Sequence, residues 1–169
     1  AVRTSGEGGA EAAPSSEAVP EEVVIAAGQG EEAPVLAWLD GGGRVDATFE
    51  YTFGVGCCAS GMTLLMLAMV DGHAELAEAL LRRGADVSLQ KSDGGTALIL
   101  AASNGRENLV ELALRHGAEA NQRSRTTGGT ALMEAAYDGH ERGVDTLIRH
   151  GAEINLQANN GDTALMFAA

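Results

Sequence analysis

Histidine and cysteine are the residues of this chain best suited to acid–base catalysis or metal binding. Two histidines each follow a glycine and two each precede one, and none stands at the HExxH spacing of a zinc site. The two cysteines are adjacent, so they offer neither a disulfide framework nor a zinc-ligand spacing. We therefore predict structural roles for His73, His116, His140 and His150. A small-molecule or metal site in the loop around Cys57-Cys58 stays open as an alternative.

Glycine-rich stretches are the other places where ligands commonly bind, because their backbone N–H groups can hold phosphate. Gly41-Gly42-Gly43 and Gly94-Gly95 lack the Lys-Ser/Thr of a P-loop and the spacing of a dinucleotide fingerprint. Both stretches therefore favour turns. The sequence predicts no catalytic residue, no metal site and no cofactor.

The elements that would position any site repeat along the chain. Four threonines recur at intervals of 33, 34 and 33 residues, and each begins a similar apolar segment. They are Thr63, Thr96, Thr130 and Thr163. After each of the first three segments comes a glycine that would end a helix, and then a Gly-Ala pair. A fixed period of this length indicates stacked helix pairs.

Residues 129–155 show one such pair clearly. Thr130 stands where its hydroxyl caps the first helix. Val144, Leu147 and Ile148 stand at i, i+3 and i+4, which predicts the apolar face of the second helix. Helices this short are marginal alone in water, so each pair needs neighbours with matching faces.

The repeated pattern resembles the ankyrin repeat family, which implies an all-α, ankyrin-like helix-pair solenoid with hairpin loops. The chain departs from the family pattern where a histidine usually follows the threonine by three positions, because Met66, Ile99, Met133 and Met166 stand there. The residues that carry the resemblance are the Thr-Ala-Leu phrases, Ala101-Ala102, Ala135-Ala136, Gly72-His73, Gly139-His140, and the Gly-Ala turns closed by Asn121 or Asn155.

The composition divides the chain into a tail and an array. Residues 1–20 hold almost no large apolar side chain, which predicts a disordered, acidic, low-complexity tail. The array is predicted over residues 21–169, with a degenerate first repeat. The chain begins without Met and ends within a repeat, so we expect a fragment of a longer array. The predicted repeats are about 21–53, 59–91, 92–124 and 125–158, followed by a truncated 159–169.

One loop of the array is longer than the others. Phe49, Tyr51 and Phe53 alternate there as in a strand, and glycines follow at 54 and 56. This pattern predicts a lengthened hairpin whose aromatic side chains pack on a neighbouring repeat. A specialised contact loop is the alternative.

The charge balance excludes several classes of partner. The formal net charge is −13 and Lys91 is the single lysine, which argues against nucleic acid and anionic membranes. No apolar run reaches the length of a membrane span. The low cysteine content favours a reducing, intracellular setting, cytoplasmic or nuclear.

The resemblance implies a groove, formed by the hairpin tips and first helices, that binds another protein. Tyr137, Arg123 and Arg125 are the first candidates because interfaces favour Tyr and Arg, and the two arginines are predicted to meet an acidic segment. The full predicted set is Met62, Val70, Asp71, Gln90, Ser92, Asp93, Ser103, Asn104, Arg123, Arg125, Tyr137, Asp138, Gln157, Asn159 and Asp162.

These patterns together predict a non-enzymatic, monomeric protein-interaction module that binds a partner protein through the concave face of the array. The alternative is the targeting or regulatory portion of a larger enzyme or channel. A fold shared by many binding proteins does not identify the partner.

Overall fold

The computed structural model describes residues 18–53 and 57–168. Short helices follow one another in pairs, and a two-stranded hairpin separates the first pair from the second. This arrangement confirms the predicted helix-pair solenoid. The elements are α1 (Glu21–Gln29), α2 (Glu32–Asp40), β1 (Thr48–Phe53), β2 (Cys57–Thr63), α3 (Leu64–Asp71), α4 (Ala74–Arg82), α5 (Ala97–Ser103), α6 (Glu107–Arg115), α7 (Ala131–Tyr137), α8 (Glu141–Arg149) and α9 (Ala164–Phe167).

The repeated threonines begin the first helix of each pair. The hydroxyls of Thr63 and Thr96 accept the N–H groups of residues 66 and 99 at 3.2 Å, and Thr130 accepts that of residue 133 at 3.4 Å. Each hydroxyl therefore satisfies one N–H that has no partner inside the helix. Thr163 precedes α9 without this bond.

The helices stack in two rows. The first helices α1, α3, α5, α7 and α9 pack each against the next, and the second helices α2, α4, α6 and α8 do the same. Equivalent leucines fill the space between successive repeats, and Leu65, Leu98 and Leu132 are each at most 2% exposed. The core is therefore continuous along the array, as expected when no single repeat can bury its own apolar face.

The predicted apolar face of α8 is only partly buried. Leu147 is fully buried, Val144 is half-buried and Ile148 is 40% exposed. Helix α8 packs against α6 on one side and borders an open cavity on the other, where Ile148 lies. Ile148 thus shares the predicted face with Val144, but this part of the face borders the cavity instead of a packed neighbour.

The lengthened loop forms the predicted hairpin. Strands β1 and β2 are antiparallel, with Thr48 opposite Thr63 and an irregularity between Phe49 and Tyr51. These two aromatic side chains are half-buried, pack on the core and meet edge to face with ring centres 6.4 Å apart. The predicted tail over residues 1–17 lies outside the described residues. The side chains of residues 52–59 are also outside the description, so the predictions for Phe53 and for a site at Cys57 and Cys58 stay predictions.

Histidines bridge neighbouring repeats, as their predicted structural role requires. Nε2 of His73 lies 2.9 Å from the Gly28 carbonyl oxygen, and Nε2 of His140 lies 3.0 Å from that of Ser103. Because a carbonyl oxygen only accepts, each Nε2 carries the proton. At the same position of the intervening repeat, Nε of Arg106 points to a carbonyl oxygen at 3.4 Å. These bonds join each helix pair to the one before it.

The other two histidines lie at helix ends. His116 and His150 directly follow the last residues of α6 and α8, where the last carbonyl groups need donors. Nε2 of His150 also lies 3.0 Å from Oε2 of Glu111 on the neighbouring helix. The predicted location of both residues is confirmed.

Candidate functional site

Two adjoining cavities lie between the first helices and the loops that precede them. The larger, of about 440 Å³, lies between α7, α9 and loop residues 126–129 and 158–160. The smaller, of about 200 Å³, lies between α5, α7 and loop residues 91–95 and 124–127. Thr126, Thr127 and Glu134 line both cavities. The surface formed by the two cavities is called the groove below.

Backbone hydrogen bonds hold the loops together as one wall of the groove. The N–H groups of Arg125 and Thr126 donate to the Asp93 carbonyl oxygen at 3.0 and 3.2 Å. The N–H of Asn159 donates to the Thr127 carbonyl oxygen at 2.8 Å. Each loop is therefore fixed by the loop before it, and the wall is formed before any ligand binds.

The guanidinium of Arg123 belongs to the framework of this wall. It donates to the carbonyl oxygens of Gly128 at 3.1 Å and Gln157 at 2.6 Å. These bonds use two of its five N–H donors, and the side chain stays exposed, so Arg123 stabilises the wall and remains a predicted contact residue. Arg125 lies on the same loop with an exposed side chain.

Met62 has to be removed from the predicted surface. Its side chain is fully buried, and its backbone pairs with Phe49 within the hairpin. The next loop lies against this strand, since the Ser92 N–H donates to the Ser60 carbonyl oxygen at 2.9 Å. Met62 is therefore a core residue.

The other predicted residues are all at least partly exposed, and four of them line the groove: Asp93, Ser103, Tyr137 and Asn159. The remainder lie outside the linings of the two cavities. Those residues are Val70, Asp71, Gln90, Ser92, Asn104, Arg123, Arg125, Asp138, Gln157 and Asp162.

Glu134 and Phe167 line the groove but were not predicted from the sequence. They stand at the repeat position that Leu67 and Leu100 occupy in the earlier repeats. The signal that could have found them is this change of residue type at one repeat position. Tyr137, which is 68% exposed, meets the Phe167 ring edge to face at a centroid distance of 6.1 Å.

The N-terminal side of the array offers a different surface. At the Gly28 backbone, Asp71, Tyr51 and Leu67 converge, because a Cβ built on Gly28 would lie 3.7–4.0 Å from all three side chains. Burial raises the pKa of Asp71, although the positive charges of His73 and Arg106 act against that rise. The hairpin thus reaches the first helices here.

Two carboxylates that line the groove have shifted pKa values. Burial raises the pKa of Glu134, and the negative charge of Asp138 raises it further. Burial would also raise the pKa of Asp93, but hydrogen bonds from Lys91 and the Gly95 N–H, together with the Lys91 charge, bring it below its usual value. Asp93 therefore has a cationic partner in the groove, whereas the influences on Glu134 all disfavour its charge.

Replacing Glu134 by Gln is expected to raise the midpoint of thermal unfolding at neutral pH. A raised folded-state pKa means that the ionised carboxylate destabilises the fold above that pKa, and that protonation relieves the cost as the pH falls through it. The gain of Glu134→Gln should therefore shrink towards about pH 4. Glu75→Gln, which removes an exposed charge from α4, serves as the control. A Glu134→Gln midpoint at or below that of the parent at neutral pH would contradict this assignment.

Other kinds of site receive no support in the described part of the chain. Among the side chains that the structure describes, those of residues 18–51 and 60–168, no group of three His, Cys, Asp or Glu is placed to hold a metal ion. No helix within these ranges is long and apolar enough to span a bilayer.

Comparison with known families supports the repeat architecture. A family model described as ankyrin repeats (3 copies) matches residues 24–124 and 112–169. None of the curated proteins compared with the chain matches its sequence.

Proposed function

The chain belongs to the ankyrin repeat family, and from this premise we propose that it binds a partner protein through the groove on the concave face of the array. Ankyrin repeats are generally protein–protein interaction modules and are typically non-catalytic. The proposed role is that of a monomeric, non-enzymatic scaffold in the cytoplasm or nucleus.

The exposed ring of Tyr137 above the larger cavity is the observation that carries this proposal. Tyrosine is enriched among the residues that dominate binding energy, because a rigid ring buries a large area at low entropic cost. Phe167 braces one side of the ring. The groove therefore offers an aromatic anchor beside an open recess.

The fixed loop wall explains how such a groove could bind with little rearrangement. The hydrogen bonds between successive loops hold the wall in place. A preformed surface loses little conformational freedom on binding, so more of the contact energy appears as affinity.

Tyr137→Ala is expected to weaken partner binding by about 2 kcal/mol or more, roughly thirtyfold, because it removes the central anchor. Ser103→Arg should also weaken binding, since it places a long side chain in the smaller cavity. Partners captured with the parent protein would be identified, and their affinities measured by titration calorimetry.

Two matched variants control for stability and surface charge. Ile154→Ala removes an exposed apolar side chain outside the groove, and Asn108→Arg adds an exposed arginine to α6. Both should bind like the parent. If both groove variants retain parental affinity, the groove is not the binding surface.

A further inference from the structure

We infer that the groove receives a lysine or arginine side chain of the partner, held between the Glu134 carboxylate and the rings of Tyr137 and Phe167. This inference rests on the proposed function and adds the chemical class of the partner segment. It replaces the acidic segment predicted from the sequence.

The lining of the larger cavity has the composition that a long cationic side chain requires. Glu134 and Tyr137 stand three residues apart on α7, so they lie on the same helix face. Phe167 borders the same space from α9, and Met133 and Ala158 add apolar surface. The alkyl stem of a lysine or arginine can lie along such apolar surface while its charged end reaches an acceptor. Aromatic ring faces also attract cations.

The charges near the groove favour a cationic ligand. Among the ion pairs of the described residues none includes Glu134, whereas Lys91 pairs with Asp93. Arg123 donates to two carbonyl oxygens of the loop wall. Asp138, one turn beyond Glu134, adds negative charge.

Arg123 and Arg125 are exposed on the adjacent loop, and neither is among the charges that act on Glu134. An acidic segment would bring further negative charge to a half-buried carboxylate in a protein of net charge −13. A cation would instead relieve the repulsion between Glu134 and Asp138. Charge complementarity therefore selects a basic segment.

The test uses fluorescent peptide pools with random flanks and one fixed central residue. The fixed residue is lysine, arginine, norleucine, citrulline or glutamate, so norleucine and citrulline match the basic side chains in shape without charge. Binding to the intact protein is measured by fluorescence polarisation. We expect the lysine and arginine pools to bind roughly tenfold more tightly than their neutral counterparts.

Glu134→Gln is the decisive variant, because it keeps the shape of the side chain and removes only its charge. It should abolish most of the preference for basic pools. The matched control Glu75→Gln removes the same charge from the exposed surface of α4 and should preserve the preference. The control separates a local contact from the general attraction of an acidic protein for basic peptides.

Three outcomes would overturn the inference. Equal binding of the basic and neutral pools would do so, as would a preference that survives in Glu134→Gln. If the cationic preference fails in one of these two ways but Tyr137→Ala still weakens peptide binding, the proposed groove function stands and only the cationic specificity is wrong. If binding is indifferent to Tyr137→Ala and Ser103→Arg, the groove function fails as well.

Discussion

Replacing Leu98 by alanine is expected to destabilise the array by about 2–5 kcal/mol. Leu98 is 1% exposed on α5, which lies between α3 and α7 in the row of first helices. The substitution removes apolar contacts and leaves a cavity enclosed on both sides, which the neighbouring repeats can fill only partly. Urea unfolding followed by circular dichroism measures the loss.

Leu132→Ala provides the matched comparison for this result. Leu132 occupies the equivalent position on α7 and is 2% exposed, but it borders an open cavity of about 440 Å³. Because fewer atoms surround the removed methyl groups, Leu132→Ala should cost less than Leu98→Ala. An unchanged unfolding midpoint for Leu98→Ala would mean that this side chain does not join neighbouring repeats.

Gly94→Ala is expected to destabilise the protein by about 3 kcal/mol or more, because strain and steric overlap add. Gly94 has φ of +87°, in the left-handed region that other residues rarely adopt. A Cβ there would also overlap the backbone nitrogen of Arg125, whose N–H donates to the Asp93 carbonyl oxygen. The substitution should therefore force apart two loops of the groove wall.

Gly117→Ala separates the two causes. Gly117 has φ of +89°, but a Cβ at this glycine would have no heavy atom within 4 Å. Only the conformational cost of about 1–2 kcal/mol should appear there. Comparable losses in the two variants, measured by thermal and urea unfolding, would refute the close loop contact at Gly94.

The fold was largely predictable because similar segments recur in the sequence at intervals of 33 or 34 residues. The threonines mark helix starts, and the three that begin α3, α5 and α7 make the expected capping bonds. The aromatic alternation at Phe49 and Tyr51 likewise predicted the hairpin and its packing. These features depend on residues that are close together in the chain, so the spacing of residue types in the sequence predicts them.

The binding surface was harder to predict because it depends on neighbours that are remote in sequence. Met62 looked like a hairpin-tip residue, yet the hairpin and core bury it completely. Arg123 was predicted as a contact residue alone, yet it also donates to carbonyl oxygens, including one from the following loop. Residue type alone does not show which atoms of the folded chain a side chain will contact.

Glu134 illustrates the opposite error. It stands where earlier repeats place leucines, and so its position suggests packing rather than recognition. The structure places it between two cavities, where burial and Asp138 both disfavour its charge. The stability gain expected for Glu134→Gln would make Glu134 a residue at which stability is exchanged for function.

Amide hydrogen exchange of the protein, free and bound to its partner, tests the central claim most directly. Binding in the groove should slow exchange in α7 and in loop residues 91–95, 124–129 and 158–160, while α4, α6 and α8 exchange as in the free protein. Protection confined to the second helices α6 and α8, or to the β1–β2 hairpin, would contradict the account and place the binding surface elsewhere on the array.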